Sequence, residues 1–111
     1  MQVDFKRSAN KKYYRESFVG VDLSTADFRN ASWIECDFTD VALRYANFEN
    51  ANCWGANFTG ADLYRANFKE AILANSIMCP RDCFGITITL TCDAVKGMTI
   101  NDRLLHYWLY M

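Results

Sequence analysis

Between residues 18 and 78 an apolar side chain recurs every five residues without a slip of register. The centres are Phe18, Leu23, Phe28, Trp33, Phe38, Leu43, Phe48, Cys53, Phe58, Leu63, Phe68, Leu73 and Met78. The chain is 51% hydrophobic, so such a run would arise by chance about once in ten thousand trials. Two residues before each centre from Leu23 onward stands a small or slim side chain. These are Val21, Ala26, Ala31, Cys36, Val41, Ala46, Ala51, Ala56, Ala61, Ala66, Ala71 and Ser76. A helix would smear a period of five around its circumference. A flat strand would put alternate centres on opposite faces. The chain must therefore turn a corner in every repeat. Four corners close a square, which lays residue i under residue i+20 and stacks the repeats as a solenoid. The centre and the small residue point inward, and the other three positions point out.

Read at a spacing of twenty, the centres fall into columns. Phe18, Phe38, Phe58 and Met78 form one, Leu23, Leu43 and Leu63 a second, and Phe28, Phe48 and Phe68 a third. The fourth, Trp33, Cys53 and Leu73, mixes sizes, and a local distortion is expected there. The small slots stack too, so a larger side chain in one of them overfills the interior. Copies such as Ala26-Asp27-Phe28, Ala46-Asn47-Phe48, Ala56-Asn57-Phe58, Ala61-Asp62-Leu63 and Ala66-Asn67-Phe68 resemble the motif of the pentapeptide-repeat family. That motif is a small residue, Asp or Asn, Leu or Phe, then two variable positions. The resemblance covers a little over half of the chain. It implies an all-β, right-handed quadrilateral β-helix, to which the C-terminal sequence adds a short α-helix.

One domain fits 111 residues. Residues 1–17 read as an entry strand and N-terminal cap, 18–78 as the β-helix, and 79–111 as a closing strand and helix. Tyr13 falls in phase with Phe18. The cluster Lys11-Lys12-Tyr13-Tyr14-Arg15 has the mix of a nucleic-acid surface, and equally that of an edge whose lysines discourage pairing. Strict alternation from Ile86 to Cys92 predicts a half-buried strand. Asn101 is a suitable N-cap for a helix running to Met111. Ile72 and Ile77 stand where the motif wants polar residues, and the tail is expected to cover them.

The net charge is −1, which gives no global attraction for a charged partner. It is unevenly distributed: +3 over residues 1–17, −4 over 18–78 and zero beyond. The first twelve residues are polar, with no apolar signal-peptide core. The longest apolar run, in the C-terminal residues 104–111, is too short to span a bilayer. Five cysteines in no disulfide-framework spacing read as free thiols. A cytoplasmic protein without a membrane partner is the simplest expectation.

Chemistry is sparse. No phosphate loop, dinucleotide fingerprint or paired-carboxylate signature occurs. His106 is the only histidine and has no nucleophile at motif spacing. Cys79, Cys83, Cys92 and His106 contain the ligand types of a Cys₃His zinc site, but the spacing is loose, so no metal or cofactor is expected. Asp22, Asp27, Asp37 and Asp62 recur with the motif and are scaffold residues first.

No enzyme follows from these residues; a protein that presents rigid faces to a macromolecule does. Candidate partner-binding residues are Ile34 and Trp54 in an oddly apolar outward column, Tyr45 and Tyr64, and the outward acids Asp22, Asp40 and Asp62. Relatives resembling the plasmid-borne quinolone-resistance proteins imitate duplex DNA and engage DNA gyrase, so the resemblance implies a topoisomerase or another nucleic-acid enzyme as partner, with no direct nucleic-acid contact. Charge weighs against imitation. Three coils of about 4.8 Å make a rod of roughly 15 Å, and duplex DNA of that length carries about nine phosphates. The repeats offer −4. The alternative is a small adaptor or anti-defence inhibitor from a mobile element that grips a protein through the exposed aromatic faces. A homodimer is expected through the C-terminal segment, on Leu104, Leu105, Tyr107, Trp108, Leu109 and Met111. These are too many apolar residues for a helix that caps a single core.

Overall fold

In the computed structural model, which describes residues 4–109, the chain pairs with itself in parallel at a spacing of twenty on four successive faces. The contacts Arg7↔Asp27, Ser17↔Asp37 and Asp22↔Ala42 each begin a ladder. The fourth ladder begins with strands β1 (Lys12–Tyr14) and β2 (Ser32–Ile34), which pair Lys12 with Ser32. Further along, β3 (Asn67–Phe68) pairs with β5 (Thr87–Ile88), and β4 (Ile77–Met78) with β6 (Thr99–Ile100). The result is a β-helix solenoid within a molecule of 45 × 24 × 19 Å.

The motif explains each corner. The amide three residues after a centre donates to that centre's carbonyl, as Ala31 does to Phe28 at 3.2 Å and Ala61 to Phe58 at 3.1 Å. Such a turn needs a left-handed residue at its third position, and φ there is +60° at Asn30 and +59° at Asn50. The Asp or Asn before the centre closes the corner. Its side-chain oxygen accepts the amide two residues on, as Asn57 does from Thr59 at 3.0 Å and Asn67 from Lys69 at 2.9 Å. A carboxylate or amide oxygen on a short stem suits this bond, which is why the repeat uses those residues.

All the predicted centres are buried, none more than 1% exposed. Phe38 stacks on Phe58 with centroids 5.1 Å apart, and Phe48 on Phe68 at 4.5 Å. Val21 departs from the expectation: it is 37% exposed, because no described residue lies over it on the first coil. The distortion expected at Trp33 stays out of the backbone. Trp33 keeps its ladder bond to Asn52 at 2.7 Å, with Tyr13 stacked on it at 4.5 Å and the small Cys53 beneath. The Phe28 ring adjusts to it, lying 4.4 Å from Trp33 and edge-to-face with Phe48, turned 70°.

The ladder runs past both ends of the 18–78 stretch, to Arg7 and to Ile100. At the N-terminal end Phe5 lies edge-on to Phe18 at 5.2 Å, and buried Ser8 bonds the Tyr13 hydroxyl at 3.0 Å. At the other end the repeat continues in disguise. Cys83 and Ile88 take the centre positions and Ile86 the small slot, with Cys83 and Ile86 buried. The expected strand from Ile86 to Cys92 therefore ends at Ile88. Its alternation came from two inward positions two residues apart; Leu90 beyond them is 53% exposed, and Cys92 opens a helical turn, α1 (Cys92–Val95). That turn lengthens the last coil: Ile77 pairs with Thr99 rather than with residue 97.

Helix α2 (Asp102–Leu109) follows, capped by Asn101, whose Oδ1 accepts the Leu104 amide at 3.0 Å while its Nδ2 donates to the Pro80 carbonyl at 2.9 Å. Leu104 plugs the open end of the interior and is fully buried. The helix closes the end of the solenoid rather than its sides. Ile72 and Ile77, expected beneath it, stand on the sides and remain 42% and 38% exposed.

Candidate functional site

The sequence sorts the outward residues into columns, and the solenoid sets each column at a corner or on a face. Corners ten residues apart are diagonally opposite on a twenty-residue coil. Tyr45 and Tyr64 therefore share one edge of the molecule, while Ile34 and Trp54 lie on the opposite edge. Asp22 and Asp62 stand on the face leading into the tyrosine corner, and Asp40 one corner earlier. The predicted binding residues do not form one surface.

The tyrosine corner is a checkerboard of rings and guanidiniums. Successive coils place Arg44-Tyr45, Tyr64-Arg65 and Phe84-Gly85 one above another. Tyr45 and Tyr64 have centroids 5.6 Å apart, Tyr64 and Phe84 5.9 Å, and Phe84 and Tyr107 of α2 6.4 Å. Arg44 lies 5.0 Å over the Tyr64 ring; Arg65 lies 5.6 Å from Tyr64 and 5.9 Å from Phe84. Such contacts contribute about 0.5–1 kcal/mol each at exposed sites. Tyr45 is 54% and Phe84 57% exposed. Gly85 makes the arrangement possible. It sits at φ +73°, and a Cβ there would stand 2.7 Å from Cγ of Arg65, which lies across it.

Charge is set locally. Asp62 is only 5% exposed. Burial alone would raise its carboxyl, but hydrogen bonds from Arg44 and the Tyr64 amide, with the charges of Arg44 and Arg81, hold it below the usual carboxylate range. The Arg44 and Arg81 contacts are 2.5 and 3.7 Å. Asp62 is thus a brace under the corner rather than a free acid. The Arg65 hydrogen bond to the Tyr64 hydroxyl, 3.3 Å long, lowers that phenol. Arg65 itself makes no ion pair among the described residues. Where Phe84 meets α2, Asp82, Cys83, Phe84, Arg103, His106 and Tyr107 line a recess of about 190 Å³. Sequence reasoning missed Phe84 and gave Tyr107 only to the dimer. Phe84 was legible, standing twenty residues after Tyr64; Tyr107 arrives from a helix that no repeat count places.

The opposite corner is different. Trp54 is 40% exposed and Ile34 half-buried beside Tyr14. Ala74 below them is 8% exposed, where α1 and the following turn pass over the corner. Among the proposed dimer residues, Leu104 is consumed by capping, and Tyr107 and Trp108 pack against their own core. Leu105 and Leu109 remain exposed, at 43% and 70%. Met111 lies outside the described residues.

Among the described residues no three His, Cys, Asp or Glu side chains converge as metal ligands. Cys83 is buried, Cys79 half-buried and Cys92 exposed. Burial pushes the Cys36, Cys53 and Cys83 thiols up, away from the reactive thiolate. No helix among the described residues is long and apolar enough to cross a membrane.

Residues 36–78 match the pentapeptide repeats family in eight copies. A pentapeptide repeat protein from the Arabidopsis thaliana thylakoid lumen superposes with a TM-score of 0.72 at 23% identity, over 82% of this chain and 62% of that one. HetL, a pentapeptide repeat protein involved in heterocyst differentiation regulation from the cyanobacterium Nostoc sp. strain PCC 7120, superposes with a TM-score of 0.66 at 29% identity. It matches over 79% of this chain and 38% of HetL. The chain thus spans less than two thirds of either neighbour. QnrB1, a plasmid-mediated fluoroquinolone resistance protein, aligns with a TM-score of 0.32 at 12% identity, too remote to carry an argument. A comparison with curated proteins finds no match.

Proposed function

We propose that this pentapeptide-repeat chain is a non-enzymatic binding protein that holds a protein partner against its tyrosine corner. One observation carries the reading: Tyr45, Tyr64, Phe84 and Tyr107 form an unbroken ladder interleaved with arginines, with Tyr45 and Phe84 exposed and Tyr64 and Tyr107 half-buried. Aromatic and arginine side chains on a rigid support are the residues from which binding hot spots are built. The β-helix fixes the spacing before binding, so little ordering entropy is lost.

Imitation of DNA is the weaker reading. Asp62 is buried against two arginines, and Asp22, Asp27 and Asp37 turn an oxygen to their own corner amides. These four acids are therefore not the free charges of a phosphate ladder. Inhibition of gyrase supercoiling at low salt by modest protein excess would restore it.

The binding reading is tested by immobilising the wild-type chain, a Tyr64→Ser/Phe84→Ser variant and a Trp54→Ser variant. A protein retained by the first and third but not the second supports the tyrosine corner. Identical retention by all three refutes it. A homodimer would rest on Leu105 and Leu109, the apolar α2 side chains that capping leaves exposed among the described residues. Light scattering that gives the mass of one chain at micromolar concentration, unchanged by Leu109→Glu, would end that proposal.

A further inference from the structure

The chemistry of the partner follows from which parts of the tyrosine corner are still free. Tyr64 has Arg44 and Arg65 over its ring, Phe84 stacked on it and Tyr45 at its edge. No open face remains there for a nucleobase to stack on, although stacking is how single strands are held on aromatic surfaces. What remains free is the guanidinium edge of Arg65, the outer surfaces of Tyr45 and Phe84, and the recess beside Tyr107. The Arg65 Nε–H is spent on the Tyr64 hydroxyl, and the guanidinium over the ring keeps its Nη N–H groups for a carboxylate.

Charge points the same way. Arg44, Arg65, Arg81 and Arg103 gather around the ladder against Asp22, Asp62 and Asp82. Asp62 already faces two of these arginines, and Asp82 turns an oxygen to the Phe84 amide at 3.0 Å. This corner is a basic strip on repeats whose net charge is −4. A nucleic acid would bring a phosphate with every nucleotide and meet that acidic surround. A short segment with a few carboxylates would not.

Spacing supplies a third constraint. The ring centroids step by 5.6, 5.9 and 6.4 Å. Alternate side chains of an extended peptide step by about 6.6 Å, so successive same-face residues of such a segment meet Tyr45, the guanidiniums over Tyr64, and Phe84 in turn.

We propose that the tyrosine corner binds an extended acidic protein segment that presents carboxylates and apolar side chains on one face, the carboxylates on Arg65 and the neighbouring arginines and the apolar side chains on Tyr45, Phe84 and the recess beside Tyr107. The proposal rests on the binding function above and names its partner's chemistry. The probe is a fluorescein-labelled ten-residue peptide whose odd positions alternate leucine and glutamate and whose even positions are threonine, so that one extended face carries both, followed by anisotropy at low salt with the full chain. The controls are the same peptide with glutamine for glutamate and a fifteen-residue oligothymidylate.

The acidic peptide should bind at micromolar concentration, and the glutamine version at least tenfold more weakly. Arg65→Glu and the milder Arg65→Gln should weaken it by about tenfold and threefold. Arg29→Glu, on another corner, should leave it unchanged, with all variants checked for an unaltered melting temperature. Equal binding to Arg65→Glu overturns the proposal. So does oligothymidylate binding that Arg65→Glu abolishes, which would make the corner a nucleic-acid surface. If the peptide fails to bind while Tyr64→Ser/Phe84→Ser still loses a retained protein, this inference falls and the binding function stands. If neither distinguishes wild type from variant, both fall.

Discussion

The two opposite edges of the solenoid share one backbone and differ in everything that faces water. Both corners turn through a left-handed residue, Tyr45 at φ +61° on one and Gly55 at +69° on the other. Both are closed by an Asx side chain, Asp62 to the Tyr64 amide and Asn52 to the Trp54 amide. Yet one carries four linked rings and a cluster of arginines, while the other carries Trp54 and Ile34 above an alanine covered by the last coil. The repeat therefore specifies where a side chain is presented, and the two variable positions specify what is presented. Binding can change on such a scaffold without touching the interior.

The comparison breaks first if the shared interior fails. Phe48→Ala removes a fully buried ring stacked on Phe68 and should cost about 3–5 kcal/mol. Chemical denaturation should show that loss whichever corner a probe reports on. A loss felt at one corner only would mean the two edges do not share a core.

Next in size is overfilling. Ala46 follows the tyrosine corner, Ala56 follows the tryptophan corner, and both are fully buried. Leucine at either should cost about 1–3 kcal/mol, equally despite the different surfaces outside. Asn50→Leu, at an exposed turn, should cost less than either. Unequal melting temperatures for the two alanine variants would show that surface chemistry reaches inward.

Acid sharpens the comparison because Asp62 braces only the tyrosine corner. Its carboxyl, with those of Asp22 and Asp27, is held below the ordinary 3.8. A carboxylate depressed in the folded state adds stability that is present above the unfolded value and lost as pH falls through the folded one. The melting temperature should hold from pH 7 to about 5 and drop below about 4. Asp62→Asn should cost about 1–2 kcal/mol at pH 7 by unpairing Arg44 and should make the acid drop shallower. An unchanged acid limb would remove Asp62 from its role as brace.

The smallest effect concerns the corner one coil before Tyr45. Thr25 holds φ +66°, a region that a β-branched residue adopts only under strain. Asparagine tolerates it, as Asn30 and Asn50 do on the next corner. Thr25→Asn should therefore raise stability by about 0.5–1 kcal/mol. A fall in melting temperature would show that the threonine is held by something other than the turn.

The sequence determined the interior by itself. An inward-pointing residue every fifth position cannot be satisfied by a helix or a flat strand, so the centres, the small slots and the twenty-residue offset were all legible before any coordinates. The cap at Asn101 was legible too, because an N-cap is a local bond between a side chain and the amide three residues on.

Tertiary structure decided what depends on coils lying above one another. Val21 reads as a small inward slot but stays exposed, with no described residue twenty positions before it. Ile72 and Ile77 read as covered, yet α2 closes the end and leaves the sides free. Trp54 and the pair Tyr45 and Tyr64 read as separate outward columns, and the coils set them on opposite edges; Asp62 read as an outward acid, but an arginine pair buries it. The aromatic ladder joins residues twenty apart and then a helix beyond the repeat. A periodic pattern fixes which side chains point out; only the stacked coils decide which of them meet.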